Sequence, residues 1–117
     1  MKTMGSLLLA MVMLLTAYGA GAQTKTEKIA VSGNCGMCKK TIEKAAKTAG
    51  AREAVWDIPS KTLDVKYNAK NTSSSKIQQA VADAGYDTQE IRGSDAAYEK
   101  LHACCRYERT KTYAAKP

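Results

Sequence analysis

The sequence predicts an α+β domain of element order β-α-β-β-α-β, a four-stranded antiparallel sheet with two helices on one face and a short C-terminal helical extension. Three observations carry this. Two segments repeat apolar residues at helical spacing, each closed by a glycine. Two alternating segments are separated by a turn short enough to pair them as a hairpin. One further alternating segment precedes the first helix, and a weaker candidate follows the second.

Lys28 to Val31 is the first strand, with Ile29 and Val31 on one face. Ser32-Gly33-Asn34 is a loop. From Lys39 to Ala49 the apolar positions Ile42, Ala45, Ala46 and Ala49 mark one face of a helix, and Cys38 falls four before Ile42 on that face. Glu43 and Lys47 add an i, i+4 pair on the wet face, and Gly50 is the stop. Ala54, Trp56 and Ile58 alternate in a second strand, Pro59-Ser60-Lys61 turns, and Leu63, Val65 and Tyr67 alternate in a third. Ser75 with Gln78 resembles a capping box for a second helix carrying Ile77, Ala80, Val81 and Ala84, stopped at Gly85. Thr88 to Ile91 is the expected closing strand. The order is the split βαβ arrangement of ferredoxin-like folds.

The 117 residues allow one domain with a modest core. Residues 1–22 read as an export signal: Lys2 supplies the positive start, Leu7 to Leu15 an apolar run, and Ala20-Gly21-Ala22 a cleavage site before Gln23. The run is short against the roughly 20 residues that a membrane helix needs, and no cysteine follows it closely enough for a lipid anchor. The expected divisions are a signal peptide over 1–22, the domain over 23–92 and an extension over 93–117. The expected location is periplasmic or secreted, without stable membrane insertion after cleavage. Loss of Lys2 leaves a net charge of +6, from 17 basic and 11 acidic side chains. The basic residues are spread along the chain, as on a solvated surface, and no nucleic-acid motif is present.

The chemistry centres on Cys35-Gly36-Met37-Cys38, between the first strand and the first helix. Thiolate is the metal-binding and nucleophilic form of cysteine, and a helix N-terminus stabilises it through unpaired N–H groups and the helix dipole. Two such sulfurs suit a soft monovalent ion, Cu(I), and softness also admits Ag(I) and Hg(II). A structural Zn(II) site wants four closed ligands, and the motif supplies two. A competing use is periplasmic thiol–disulfide exchange; against it stand the element order and the absence of an aromatic or proline within the motif. A purely structural disulfide is the third reading.

In the extension, Ser94 is expected to cap a short helix with Ala97, Tyr98, Leu101, Cys104 and Cys105 on one stripe and His102 near its end. Cys104, Cys105 and His102 are candidate auxiliary metal ligands, acting alone or folding back on the first pair. The bland alternative is that the two cysteines are small buried apolar residues, and a disulfide to the first pair is a third. The tail from Tyr107 to Pro117 is polar, basic and expected to fray. Nothing suggests an enzyme: there is one histidine, no nucleophile with a recognisable base and no phosphate-binding glycine loop. An interaction module using the open sheet face would be marked by Trp56, if exposed.

Cys-x-x-Cys between the first strand and first helix of a βαββαβ unit resembles the heavy-metal-associated domain family, to which small copper chaperones, the N-terminal modules of copper-exporting ATPases and the periplasmic mercury-binding protein belong. The likeness spans about Thr26 to Arg92. It includes Gly50-Ala51 with Ala54, Trp56 and Asp57, then Leu63, Val65, Tyr67 and Asn68, and Ala84-Gly85-Tyr86. It implies Cys35 and Cys38 as metal ligands, Cu(I) as the first-choice ion and Hg(II) detoxification as an alternative role. It also implies a donor or acceptor protein, such as a copper-transporting ATPase or an efflux system. Tyr86 falls where bacterial members carry an aromatic beside the metal loop; an ordinary core-edge tyrosine is the competing reading. The family usually reads Gly-Met-x-Cys-x-x-Cys, whereas this chain reads Gly33-Asn34-Cys35-Gly36-Met37-Cys38, one residue shorter. Met37 is the candidate to replace the missing buried methionine.

Overall fold

The computed structural model describes residues 23–109. The expected export signal lies outside them, as does the tail beyond Arg109. Strand β1 (Thr24–Ala30) leads to helix α1 (Gly36–Thr48), then to β2 (Glu53–Asp57) and β3 (Thr62–Asn68), helix α2 (Ser74–Asp83) and a short helix α3 (Asp95–Glu99). A 3₁₀ turn, Ala103–Cys105, follows. The sheet order is β1-β3-β2, antiparallel throughout.

Strand pairing follows the alternation read from the sequence. Ile29 faces Leu63 across β1 and β3, and Trp56 faces Leu63 across the hairpin. All three side chains are buried, with Ala54, Val65 and Tyr67 on the same face. The opposite face carries Lys28, Glu53, Asp64 and Lys66, which pair across the strands as Lys28–Asp64 and Lys66–Glu53. A polar outer face leaves the helices to cover the other. Helix α1 buries Cys38, Ile42 and Ala46, and α2 buries Ile77, Gln78, Val81 and Ala82. Both stripes enter one core with the sheet residues. Trp56 lies at its centre with no exposed surface, its indole N–H donating to the Val31 carbonyl. It is therefore no marker of a surface interaction module.

Gly50 ends α1 at φ 113°, and a Cβ there would stand 2.9 Å from the Thr72 side chain, so glycine answers both backbone and space. Glu43, on the flank of α1, accepts from the Lys39 ammonium and from the Trp56 N–H, tying helix to sheet.

Several expectations differ in detail. Strand β1 starts earlier than Lys28, and α1 starts earlier than Lys39, at Gly36 with Cys35 as its N-cap. Ile58 leaves the alternation, because β2 ends at Asp57, whose carboxylate accepts from the Ser60 N–H and hydroxyl and turns the chain. Ile58 is thus exposed rather than core. Ser73, not Ser75, caps α2 by accepting from the Lys76 N–H. Gln78 is buried and holds the following loop instead, accepting from Thr88 Oγ1 and the Glu90 N–H.

The expected fourth strand is reduced to a single bridge, Val31 with Thr88. Side chains take the bonds that a ladder would use. Gln89 Oε1 accepts from the Ala30 N–H, and Thr88 Oγ1 bonds both N–H and C=O of Ile91, curling the chain away from the sheet. The Asp87 N–H donates to the hydroxyl of Tyr107, which comes from the extension.

Tyr107 is 3% exposed, so the tail is anchored at this point rather than frayed. Its hydroxyl also donates to the Gly85 carbonyl at 2.8 Å, and its ring packs edge-on to Tyr98 and stacked on Tyr86. Arg109 adds an ion pair with the buried Asp87 and reaches Asp95. Ser94 caps α3 as expected, accepting from the Ala97 N–H. The expected single stripe to Cys105 does not form, because α3 ends at Glu99 and the 3₁₀ turn rotates the two cysteines apart.

Two stability predictions follow from these ties. In Glu43, burial raises the carboxyl pKa, but the Lys39 hydrogen bond, the Trp56 N–H and the charges of Lys39 and Lys47 outweigh it, and the net shift is downward. A depressed folded pKa contributes stability above the unfolded value of about 4.3 and loses it as pH falls through the folded value. Glu43→Gln should therefore cost about 0.5–1 kcal/mol near neutral pH and lessen the acid-induced loss, read from urea unfolding across pH. Tyr107→Phe leaves the buried Gly85 carbonyl and Asp87 N–H without this partner; a loss of about 1–3 kcal/mol in the same assay is expected.

Candidate metal centre

The site is assembled at the N-terminus of α1. Cys35 is the N-cap residue with extended backbone, φ −142° and ψ −178°, and Cys38 is the third residue of the helix. This turn brings their sulfurs to 3.6 Å. Cys38 is fully buried; Cys35 is part-buried and reaches the surface. Beneath the loop, Gly33 lies so close to the Trp56 ring that a Cβ would stand 2.9 Å from it, so the loop rests directly on the indole.

The field of the helix terminus acts on Cys35. The Cys38 backbone N–H lowers its pKa most; burial opposes this, and the Cys38 thiol, the Met37 N–H and the Cys104 thiol add to the lowering. The result is about 7, against about 9 for an ordinary thiol. The shift favours the thiolate, the form that binds soft cations.

The extension supplies a third sulfur. Cys105 is buried, with its Sγ 3.9 Å from that of Cys35. Cys35, Cys38 and Cys105 form a group whose sulfurs all lie within 4.8 Å of one another. Burial, then the neighbouring Cys38 thiol, raises the Cys105 pKa. Cys104 points outward beside the group, 4.0 Å from the Cys105 sulfur and 3.6 Å from Met37 Sδ, and its pKa is raised by the Cys35 thiol and by desolvation.

The remaining candidates separate cleanly. Tyr86 is buried, with its hydroxyl facing the Cys105 and Cys38 sulfurs. Burial first, then those two thiols, raises its pKa, so it stands beside the site as a neutral phenol. Met37 is 46% exposed and lies against Cys104, so it does not replace the family's buried methionine. His102 is exposed at the start of the 3₁₀ turn and lies outside the three-sulfur group. Tyr107 shapes the site, although its sequence context does not single it out. Its only sequence signal was an aromatic two positions after Cys105, in a stretch otherwise polar and basic. No helix among the described residues is long and apolar enough to cross a membrane.

The heavy-metal-associated domain profile matches residues 28–87, half of the chain, and the chain belongs to that family. Solved structures of similar fold include the CopZ metallochaperone, at 29% identity and a TM-score of 0.52 over 55% of this chain and 98% of that one. Oxidized MerP from Ralstonia metallidurans CH34 is 30% identical with a TM-score of 0.53, over 56% of this chain and 93% of its own. The Cu(I)-loaded N-terminal domain of a potential copper-translocating P-type ATPase from Bacillus subtilis is also 30% identical, with a TM-score of 0.53 over 56% of this chain and 84% of that domain. No curated protein matches the chain.

The thiols should differ in reactivity. Iodoacetamide labelling of the reduced protein, read by mass spectrometry, is expected to reach Cys35 with a pH midpoint near 7. Cys105 should be labelled slowly at neutral pH, because it is buried and protonated.

Proposed function

We propose that this is an exported carrier that binds a thiophilic ion, Cu(I) first, through Cys35 and Cys38 and passes it on by thiol exchange. The observation that carries this reading is the paired sulfurs 3.6 Å apart at the α1 N-terminus, one reaching the surface with its pKa lowered, the other held in the core. Cys38 is the fixed ligand and Cys35 the accessible one. On binding, each sulfur that is still protonated gives its proton to solvent, and both bond the ion. In transfer, one partner thiolate bonds the ion as the Cys35 bond breaks, a second bonds it as the Cys38 bond breaks, and the freed sulfurs take up protons as the medium allows. The ion never leaves sulfur during the exchange. Family membership supports soft-metal binding, and similarity to a Cu(I)-loaded ATPase domain supports copper and an ATPase or efflux system as partner.

A second reading has its own support. Similarity to the mercury-bound form of MerP, the periplasmic protein from the bacterial mercury detoxification system, favours Hg(II), which the same sulfur pair would accept, and would make the protein a detoxification carrier. Export rests on the signal pattern of residues 1–22.

Anaerobic titration of the reduced protein against a chromophoric Cu(I) chelator tests the reading. The expected result is one tightly held Cu(I) per chain, lost in Cys35→Ser/Cys38→Ser. Full retention by that double variant would overturn it. A parallel competition with Hg(II) ranks the two ions.

A further inference from the structure

We infer that the C-terminal extension completes a three-sulfur site, with Cys105 as the third ligand to the thiophilic ion held by Cys35 and Cys38. This deepens the function proposed above and rests on it.

The geometry favours three sulfurs over two, because a third sulfur already stands beside the pair. A thiolate bond to a d¹⁰ ion of this size is about 2.3 Å, so two ligands in a line stand roughly 4.6 Å apart and three at the corners of a triangle roughly 4.0 Å apart. Cys35 and Cys38 are 3.6 Å apart, and Cys35 and Cys105 are 3.9 Å apart. The Cys38–Cys105 separation falls within the 4.8 Å span of the group. Linear capture by the first pair alone would require opening it by about 1 Å. Trigonal capture by all three needs shifts of a few tenths of an ångström along the Cys35–Cys38 and Cys35–Cys105 edges, and closes the Cys38–Cys105 edge by at most about 0.8 Å.

The position of Cys105 is held by independent contacts. Its backbone N–H donates to the His102 carbonyl, closing the 3₁₀ turn. Two residues on, the Tyr107 hydroxyl is fixed to Gly85 and Asp87, and Tyr98 donates to the Tyr107 carbonyl at 2.6 Å. Arg109 pins the end of the segment to Asp87. The sulfur therefore meets the pair through fixed backbone. Cys104, next in chain, is turned outward toward Met37 and does not belong to the triangle.

Binding releases the protons of Cys38 and Cys105, and that of Cys35 where it is still protonated, to solvent, forms three metal–sulfur bonds and changes no oxidation state. The test uses reduced full chain loaded anaerobically with half an equivalent of Cu(I), so that copper clusters do not form. X-ray absorption fine structure should count three sulfur neighbours in the wild type and in Cys104→Ser, and two in Cys105→Ser. Chelator competition should show Cys105→Ser weaker by more than the roughly tenfold to hundredfold that losing an outer partner costs. Two sulfurs in the wild type, with unchanged affinity in Cys105→Ser, would overturn the third ligand and leave the Cys35–Cys38 reading standing. Undiminished affinity in Cys35→Ser/Cys38→Ser would remove both. If Cys105→Ser loses its folded circular-dichroism spectrum, the wild-type sulfur count alone decides.

Discussion

The hydroxyl of Tyr107 sits between the Gly85 carbonyl and the Asp87 N–H, both buried, and the end of the described chain depends on that contact. Ordering a residue costs about 1–2 kcal/mol in backbone entropy, so an extension this polar would not dock on hydrogen bonds at its surface alone. The tyrosine brings an apolar ring into the core and a hydroxyl that satisfies two backbone groups at once. Tyr98 and Tyr86 pack against that ring, and Arg109 neutralises Asp87 beside it. With the segment fixed there, the 3₁₀ turn two residues earlier has one place to go, and Cys105 comes to rest against the α1 N-terminus. The same hydroxyl takes an N–H that a fourth strand would have used. Docking of the extension thus acts together with the Gln89 and Thr88 side-chain bonds in shortening that strand.

The site itself is a gradient from core to water. Cys38 and Cys105 are buried beside the neutral Tyr86, Cys35 is half-way out under the field of the helix terminus, and Cys104 with Met37 forms a sulfur-rich outer rim. Buried thiols resist oxidation and exchange, whereas an ionised, accessible thiol invites both. Such an arrangement suits binding of a soft cation, with one sulfur accessible and two in the core. The loop carrying Cys35 lies on the Trp56 indole, with Gly33 as the only residue small enough for that approach, so the gradient is built on the rigid centre of the core.

Much of the fold was legible because its elements obey simple periods. The stripe of Cys38, Ile42 and Ala46 and the alternation of Leu63, Val65 and Tyr67 state which face is buried, and the glycines at 50 and 85 state where helices stop. The structure departs from the periodic pattern where a side chain replaces a backbone partner. Asp57 cut β2 short, Gln89 and Thr88 displaced a ladder, and Ser73 capped where Ser75 was expected. Such bonds depend on which groups meet after folding, and periodicity carries no trace of them.

By itself the sequence determined a ferredoxin-like sheet and helix pair with two cysteines at a helix start, because local spacing sets both element type and which side chains share a turn. It also marked Cys104 and Cys105 as unusual without saying which would face inward. Tertiary structure alone decided that Cys105 joins the pair and Cys104 does not, since the two thiols are adjacent in chain and only the docked 3₁₀ turn distinguishes them. The sulfurs of Cys35 and Cys105 meet across 70 residues of chain. No local pattern encodes a contact of that span; it follows from where an aromatic ring far down the chain finds a buried place.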